Sequence, residues 1–146
     1  MKKFLLADDD ADDIDLFIEA LQSIDESIEL TTAINGKEAL RKLTEINPEI
    51  IFLDINMPEM DGWECLLKIK NTDRIKQIPV VMLSTSSISI NGKKAIQAGA
   101  FGYLEKPTSY VKLKDFLEEL SKATQDNLRE RMRAIEMSKA YNFVTS

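Results

Sequence analysis

Four short apolar runs in this chain each end on a residue that carries chemistry. Phe4-Leu5-Leu6-Ala7 leads into Asp8 and Asp9, Ile50-Ile51-Phe52-Leu53 into Asp54, and Val80-Val81-Met82-Leu83 into Ser84. Phe101-Gly102-Tyr103-Leu104-Glu105 delivers Lys106 and then Pro107. Runs this short and this apolar read as strands buried on both faces of a parallel sheet. Amphipathic stretches separate them. The alternation predicts strands at 3–7, 29–34, 49–54, 78–84 and 101–104, with helices at 11–24, 36–46, 62–72, 91–98 and 109–138. Five βα units in succession predict a doubly wound parallel sheet, with right-handed crossovers placing helices on both faces. Such sheets gather their functional groups beyond the carboxyl ends of the strands. Carboxylates, a hydroxyl and an ammonium are therefore expected along one edge.

The punctuation agrees with this reading. Asn35-Gly36, Asp61-Gly62 and Ala98-Gly99 mark turns or helix ends, and Thr108 or Ser109 is placed to cap the last helix. Residues 85–92 are poor helix formers, so the fourth helix is expected to be short with a mobile entrance. Leu117, Leu120, Thr124, Leu128, Met132 and Ile135 follow a helical stripe that carries the last helix past the domain body. The expected division is a domain over 1–121 and a helical extension or tail over 122–146. That extension either pairs with its copy in a homodimer or frays, with Tyr141-Asn142-Phe143-Val144 as a loose end.

Composition removes several classes of function. The 146 residues fit one domain, and the net charge of −6 argues against direct nucleic-acid binding. No apolar stretch approaches the roughly 20 residues of a membrane span, and the apolar run after Met1-Lys2-Lys3 stops too early for a signal peptide. The single cysteine, Cys65, cannot form an internal disulfide, so a cytoplasmic location is expected and Cys65 reads as a small core residue. There is no histidine, which excludes histidine-based triads, histidine-ligated metals and a phosphohistidine carrier. A metal would need oxygen ligands, which points to Mg²⁺, with Mn²⁺ as the other candidate.

Asp8, Asp9 and Asp54 repel one another unless a cation sits between them. Asp9 and Asp54 are candidate direct ligands, Asp8 a ligand through water, and the backbone carbonyl of Asn56 a further one. A carboxylate on such an ion is also a candidate nucleophile for aspartyl-phosphate chemistry. Lys106 would add positive charge for phosphoryl oxygens, and Ser84 a hydroxyl that bonds the phosphoryl only after it arrives. Asp10, Asp12 and Asp13 read as a solvated face, the latter two favoured by the helix dipole.

Residues 1 to about 121 resemble the receiver domain of two-component response regulators. The resemblance rests on Leu53-Asp54-Ile55-Asn56-Met57-Pro58-Glu59-Met60-Asp61-Gly62, Asp8-Asp9, Pro79 to Ser84, and Ala98 to Tyr103 leading to Lys106-Pro107. It implies a flavodoxin-like five-stranded sheet of order 2-1-3-4-5 with five helices. Asp54 is then the phosphoacceptor, Asp8 and Asp9 the acidic pair, Ser84 the switch hydroxyl, Lys106 the lysine and Tyr103 the switch aromatic, although Tyr103 also fits a static packed residue. The implied donor is a histidine kinase or a phosphotransfer protein. The implied output is a remodelled face of helix 4, strand 5 and helix 5 that binds a separate protein or a second copy. The implied chemistry is the protein's own phosphorylation and dephosphorylation, not turnover of an outside substrate. Thr85, where the family usually has Ala or Gly, and the extra acid Asp10 depart from the pattern. The opening Asp12-Asp13-Ile14-Asp15-Leu16 resembles small regulators paired with phytochrome-type or hybrid kinases.

Three rivals are weighed against this. A haloacid-dehalogenase-type phosphatase would place an acid two residues after the nucleophile, where this chain has Asn56. A dinucleotide-binding domain needs a glycine-rich first turn, and residues 7–13 contain no glycine. A constitutive receiver-like interaction module or a phosphate-shuttling relay intermediate remains as the alternative function.

Overall fold

The computed structural model describes residues 2–146. The strands are β1 (Lys3–Ala7), β2 (Glu29–Ala33), β3 (Ile50–Asp54), β4 (Val80–Ser84), β5 (Gly102–Glu105) and β6 (Phe143–Thr145). The helices are α1 (Ala11–Ile24), α2 (Gly36–Lys42), α3 (Gly62–Lys70), α4 (Ile88–Gln97), α5 (Tyr110–Ser121) and α6 (Leu128–Ser138). One sheet runs β2-β1-β3-β4-β5-β6. Its first five strands are parallel in the predicted order, and β6 runs antiparallel to β5.

The period-2 alternation of strand side chains sorts the core into two layers. Leu5, Ala7, Ile51, Leu53, Val80, Met82 and Tyr103 face α2, α3 and α4, meeting Ala39, Leu43, Cys65, Leu66, Ile69 and Ala95. Phe4, Leu6, Phe52, Val81, Leu83 and Leu104 face α1, α5 and α6. Phe52 anchors this second layer, with Phe4 and Phe17 edge-on at 5.7 and 5.1 Å. Every residue of β3 and β4 is buried, as strands covered on both faces require.

The carboxyl-terminal quarter corrects the expectation of five strands, five helices and one long last helix. The helix expected over 109–138 breaks after Ser121, and α6 restarts at Leu128. Thr124-Gln125-Asp126-Asn127 competes with helix through local hydrogen bonds, as when Asn127 Oδ1 accepts from the Thr124 N–H at 2.7 Å. Burial supplies the driving force. Leu128, Met132 and Ile135 join Leu117 and Leu120 in the second core layer instead of projecting beyond the domain. The stripe read as a dimer seam is therefore covered by the chain's own body. α6 ends at Lys139, whose left-handed backbone (φ 56°) turns the chain toward β6. The segment 141–144, read as fraying, contributes Phe143 to the core, where it lies edge-on to Phe116 at 5.2 Å.

α4 begins three residues earlier than expected. Ser87 caps it, its side chain accepting from the Ser89 N–H, and buried Ala95 and Gly92 seat the helix. No helix among the described residues is long and apolar enough to cross a membrane.

Candidate functional site

Parallel strands ending at one level bring four chain segments to a single point. Asp8 follows β1 and is 1% exposed, Asp54 closes β3 at 6%, and Ser84 closes β4 at 0%. Lys106 follows β5, held to the end of β4 by its backbone N–H donating to Ser84 O at 2.7 Å. The Lys106 ammonium donates to Asp13 Oδ2 at 2.8 Å, Asp8 Oδ2 at 3.0 Å and Asp54 Oδ2 at 3.3 Å. Asp9 is exposed, yet carboxylate oxygens of Asp8, Asp9 and Asp54 all lie within 4.8 Å of one another. Asn56 sits exposed in the β3–α3 loop, two residues past Asp54.

Burial is the main force that pushes the Asp54 carboxyl up, to about 6 from an ordinary 3.8; the Asp8 charge adds to it, and Lys106 opposes it. Burial alone would lower the Lys106 ammonium, but the hydrogen bond it donates to Asp13 and the charges of Asp54 and Asp8 outweigh it and hold Lys106 above its usual value. One ammonium thus serves several acids. Carboxylate oxygens of three acids this close together call for a cation between them, and oxygen-only donors are what a hard divalent cation takes. Asp8, Asp9 and Asp54 fit such an ion.

The hydroxyl edge is organised through Ser86. Ser84 Oγ accepts from the Ser86 N–H at 3.0 Å, and Tyr103, fully buried, donates its hydroxyl to Ser86 O at 2.7 Å. Ser84 therefore does not cap α4; Ser87 does. Glu105, which pairs in register with Ser84, accepts from the Ile88 N–H at 3.1 Å and from Asn142 Nδ2 at 2.8 Å. It joins the entrance of α4 to β6, and sequence reasoning assigned it no part.

Two acids read as solvated have structural partners. Asp10 is the N-cap of α1, accepting from the Asp12 and Asp13 N–H groups, and its own N–H donates to Asp8 Oδ1 at 2.9 Å. Asp13 is then the third residue of α1 and reaches Lys106. The available signal was the cap itself: once Asp10 starts the helix, the first turn is phased, and Asp13 returns to the strand ends. Cys65 is buried as expected, and burial pushes its thiol up to about 12, which makes it inert.

Gly62 seats α3 against the end of β3. Its N–H donates to Ile55 O at 2.8 Å, and a Cβ there would stand 2.3 Å from Asp54 O and 2.8 Å from Ile55 Cα. The obstacle is backbone, which cannot swing aside. Gly62→Ala is expected to destabilise the fold by about 1–3 kcal/mol, the usual cost of overpacking. The urea unfolding midpoint checks this; an unchanged midpoint would show that α3 has room to shift from Asp54.

A cavity of about 750 Å³ lies at the opposite, amino-terminal edge of the sheet, next to Phe4, Ile50, Pro79 and Phe101. Its cations are already engaged: Lys2 by Ala123 O, Arg74 by Leu43 O, and Arg129 by Ser146 and the Phe101 ring.

A fold of this order, with acids, a hydroxyl and a lysine at the carboxyl edge, defines a class. The family model for the response regulator receiver domain matches residues 4–118, and the chain belongs to that family. Protein PilG of Pseudomonas aeruginosa is 40% identical over 85 residues, covering 58% of this chain and 63% of that protein. The chain spans only 33–63% of the length of the curated relatives it matches. Among solved structures, the phosphorylated cyanobacterial phytochrome response regulator RcpA superposes with a TM-score of 0.76 at 32% identity, covering 84% of this chain and 96% of that one. The Mn(2+)-bound form of response regulator Rcp1 superposes with a TM-score of 0.74 at 29% identity, over 84% and 93%.

Proposed function

We propose that this chain is a phosphorylation switch that accepts a phosphoryl group on Asp54 from a phosphohistidine of a histidine kinase or phosphotransfer protein. The observation that carries the reading is the Lys106 ammonium bridging Asp8 and Asp54, one strand from the buried Ser84 hydroxyl. An Asp54 carboxylate oxygen attacks phosphorus. An O–P bond forms, the N–P bond to the donor imidazole breaks, and the imidazole leaves with the electron pair and takes up a proton. Lys106 neutralises phosphoryl oxygens as they approach. A divalent cation, Mg²⁺ in this reading, when held by Asp8, Asp9, Asp54 and the Asn56 carbonyl, supplies the remaining positive charge.

Ser84 Oγ accepts from Ser86 in the resting chain, which leaves its proton free to donate to a phosphoryl oxygen. Movement of Ser84 is passed through Ser86 to Tyr103, and so to α4 and β5. This contact exists only after transfer and so biases one conformation. Asn56, standing where an external phosphatase needs an acid, fits a protein that acts only on its own phosphoryl group. The unit over 1–121 is the receiver, and 122–146 is an appended α6–β6 element. The output is binding of a separate protein or a second copy in the cytoplasm.

Tyr103 is fully buried and tied by its hydroxyl to Ser86 O, and a static packed Tyr103 favours the second reading, a constitutive interaction module. Native mass spectrometry with Mg²⁺, with and without acetyl phosphate, separates the two. The switch reading expects one phosphoryl per chain, released by hydrolysis; a chain that stays unlabelled by both acetyl phosphate and phosphorylated donor proteins would be the constitutive module.

A further inference from the structure

A lysine ammonium has three N–H donors. Among the described residues Lys106 meets three acceptors: Asp8 from the end of β1, Asp54 from the end of β3, and Asp13 from the first turn of α1. Asp13 is the shortest contact at 2.8 Å, and Asp54, the proposed nucleophile, is the longest at 3.3 Å. Lysine stems are flexible, so a cationic head with partners on one side only has no fixed position. Asp13 supplies a further anchor, from a helix rather than a strand end.

We propose that Asp13 is a positioning residue that holds the Lys106 ammonium in place for phosphoryl transfer; this rests on the reading of Asp54 above. The local structure supports it twice. Asp8 Oδ1 is occupied by the Asp10 N–H, which leaves Oδ2 for Lys106. The Asp10 carboxylate in turn receives the Asp12 and Asp13 N–H groups, so the cap that starts α1 also sets where Asp13 stands. Asp13 and Asp8 hold two of the three protons. The third, now directed to Asp54, passes to a phosphoryl oxygen once Asp54 is esterified. Asp13 never meets the phosphoryl itself; it acts through Lys106.

The test is a double-mutant cycle on phosphorylation by acetyl phosphate, using wild type, Asp13→Asn, Asp13→Glu, Lys106→Ala and the Asp13→Asn/Lys106→Ala pair. A second readout is the reductive methylation of Lys106 in the resting protein, followed by peptide mass spectrometry. Asp13→Asn is expected to slow labelling by about three- to fivefold, the scale of a half-exposed charge pair. Asp13→Glu should recover part of that rate. In the Lys106→Ala background, Asp13→Asn should cost nothing further, because the two residues act as a unit. Methylation of Lys106 should rise severalfold in Asp13→Asn. Equal labelling rates overturn the proposal, and so does the same loss with Lys106 absent, which would mean that Asp13 only stabilises α1. If wild type takes no label from acetyl phosphate or from phosphorylated donor proteins, the Asp54 reading fails by itself, and the methylation arm alone decides whether Asp13 holds Lys106.

Discussion

Replacing Asp54 with alanine is expected to abolish labelling by acetyl phosphate and, in metal-free buffer, to raise the stability of the fold. The first effect follows from the proposed chemistry, since Asp54 is the carboxylate that both bonds Lys106 and closes the strand paired with β4. The second follows from electrostatics. Asp54 is buried beside Asp8, and its carboxyl is pushed up from 3.8 to about 6. A carboxyl harder to ionise in the folded chain than in the unfolded one costs stability whenever it is ionised. Below the unfolded value it is neutral in both states, and no such cost arises. Between 3.8 and about 6 the unfolded chain releases the proton first, so stability falls as pH rises. Above that window the penalty is complete, of order 3 kcal/mol at neutral pH. Asp54→Ala should therefore melt above wild type at neutral pH without metal, and the gap should close as pH falls below 4. Added Mg²⁺ should stabilise wild type more than the variant, because it binds only the folded site. A variant that melts below wild type at neutral pH would show that the Lys106 contact outweighs burial at Asp54. A variant that still takes the phosphoryl group would remove Asp54 as acceptor.

That electrostatic tension was legible in the sequence because strand ends are. Ala7-Asp8, Leu53-Asp54 and Leu83-Ser84 each mark the point where a buried parallel strand meets the edge, so the placement of these groups needed only the period and the topology. Lys106 entered the same way. Asp13 did not, because an acid in the first turn of a helix is already accounted for by the helix dipole. Its contact with Lys106 depends on the phase that the Asp10 cap sets. The tail was misread for a different reason. Leu128, Met132 and Ile135 fit one helical stripe with Leu117 and Leu120 whether the helix runs straight or folds back. What separates the two is the local competition at Thr124 to Asn127 and the tertiary burial gained by returning to the second core layer. β6 was too short to read: three residues, only one of them fully buried, with no period to detect.

The second large effect is expected from Phe143→Ala, and it turns on whether that short strand belongs to the domain. Phe143 is buried between β5 and α5. Its ring lies edge-on to Phe116 and fills the space that Gly102 leaves, where a Cβ would meet it at 2.8 Å. Truncating a buried phenylalanine costs about 3–5 kcal/mol, part lost transfer energy and part cavity. The lower end is expected here, because a strand near the chain end can partly collapse. The urea unfolding midpoint should fall accordingly, with an unchanged slope. A second consequence is local. Glu105 bonds both Asn142 of the β6 approach and the Ile88 N–H at the start of α4. Val144 packs near Gly92 of the same helix. Loosening β6 should therefore raise amide exchange at the α4 entrance more than in α2, which packs on β1 and β2 at the far side of the sheet. Large destabilisation with that exchange pattern would make the α6–β6 element a fixed part of the face that the Ser84–Ser86–Tyr103 chain reaches. An unchanged midpoint would return residues 140–146 to the status of a loose end, and the output face would then be built without them.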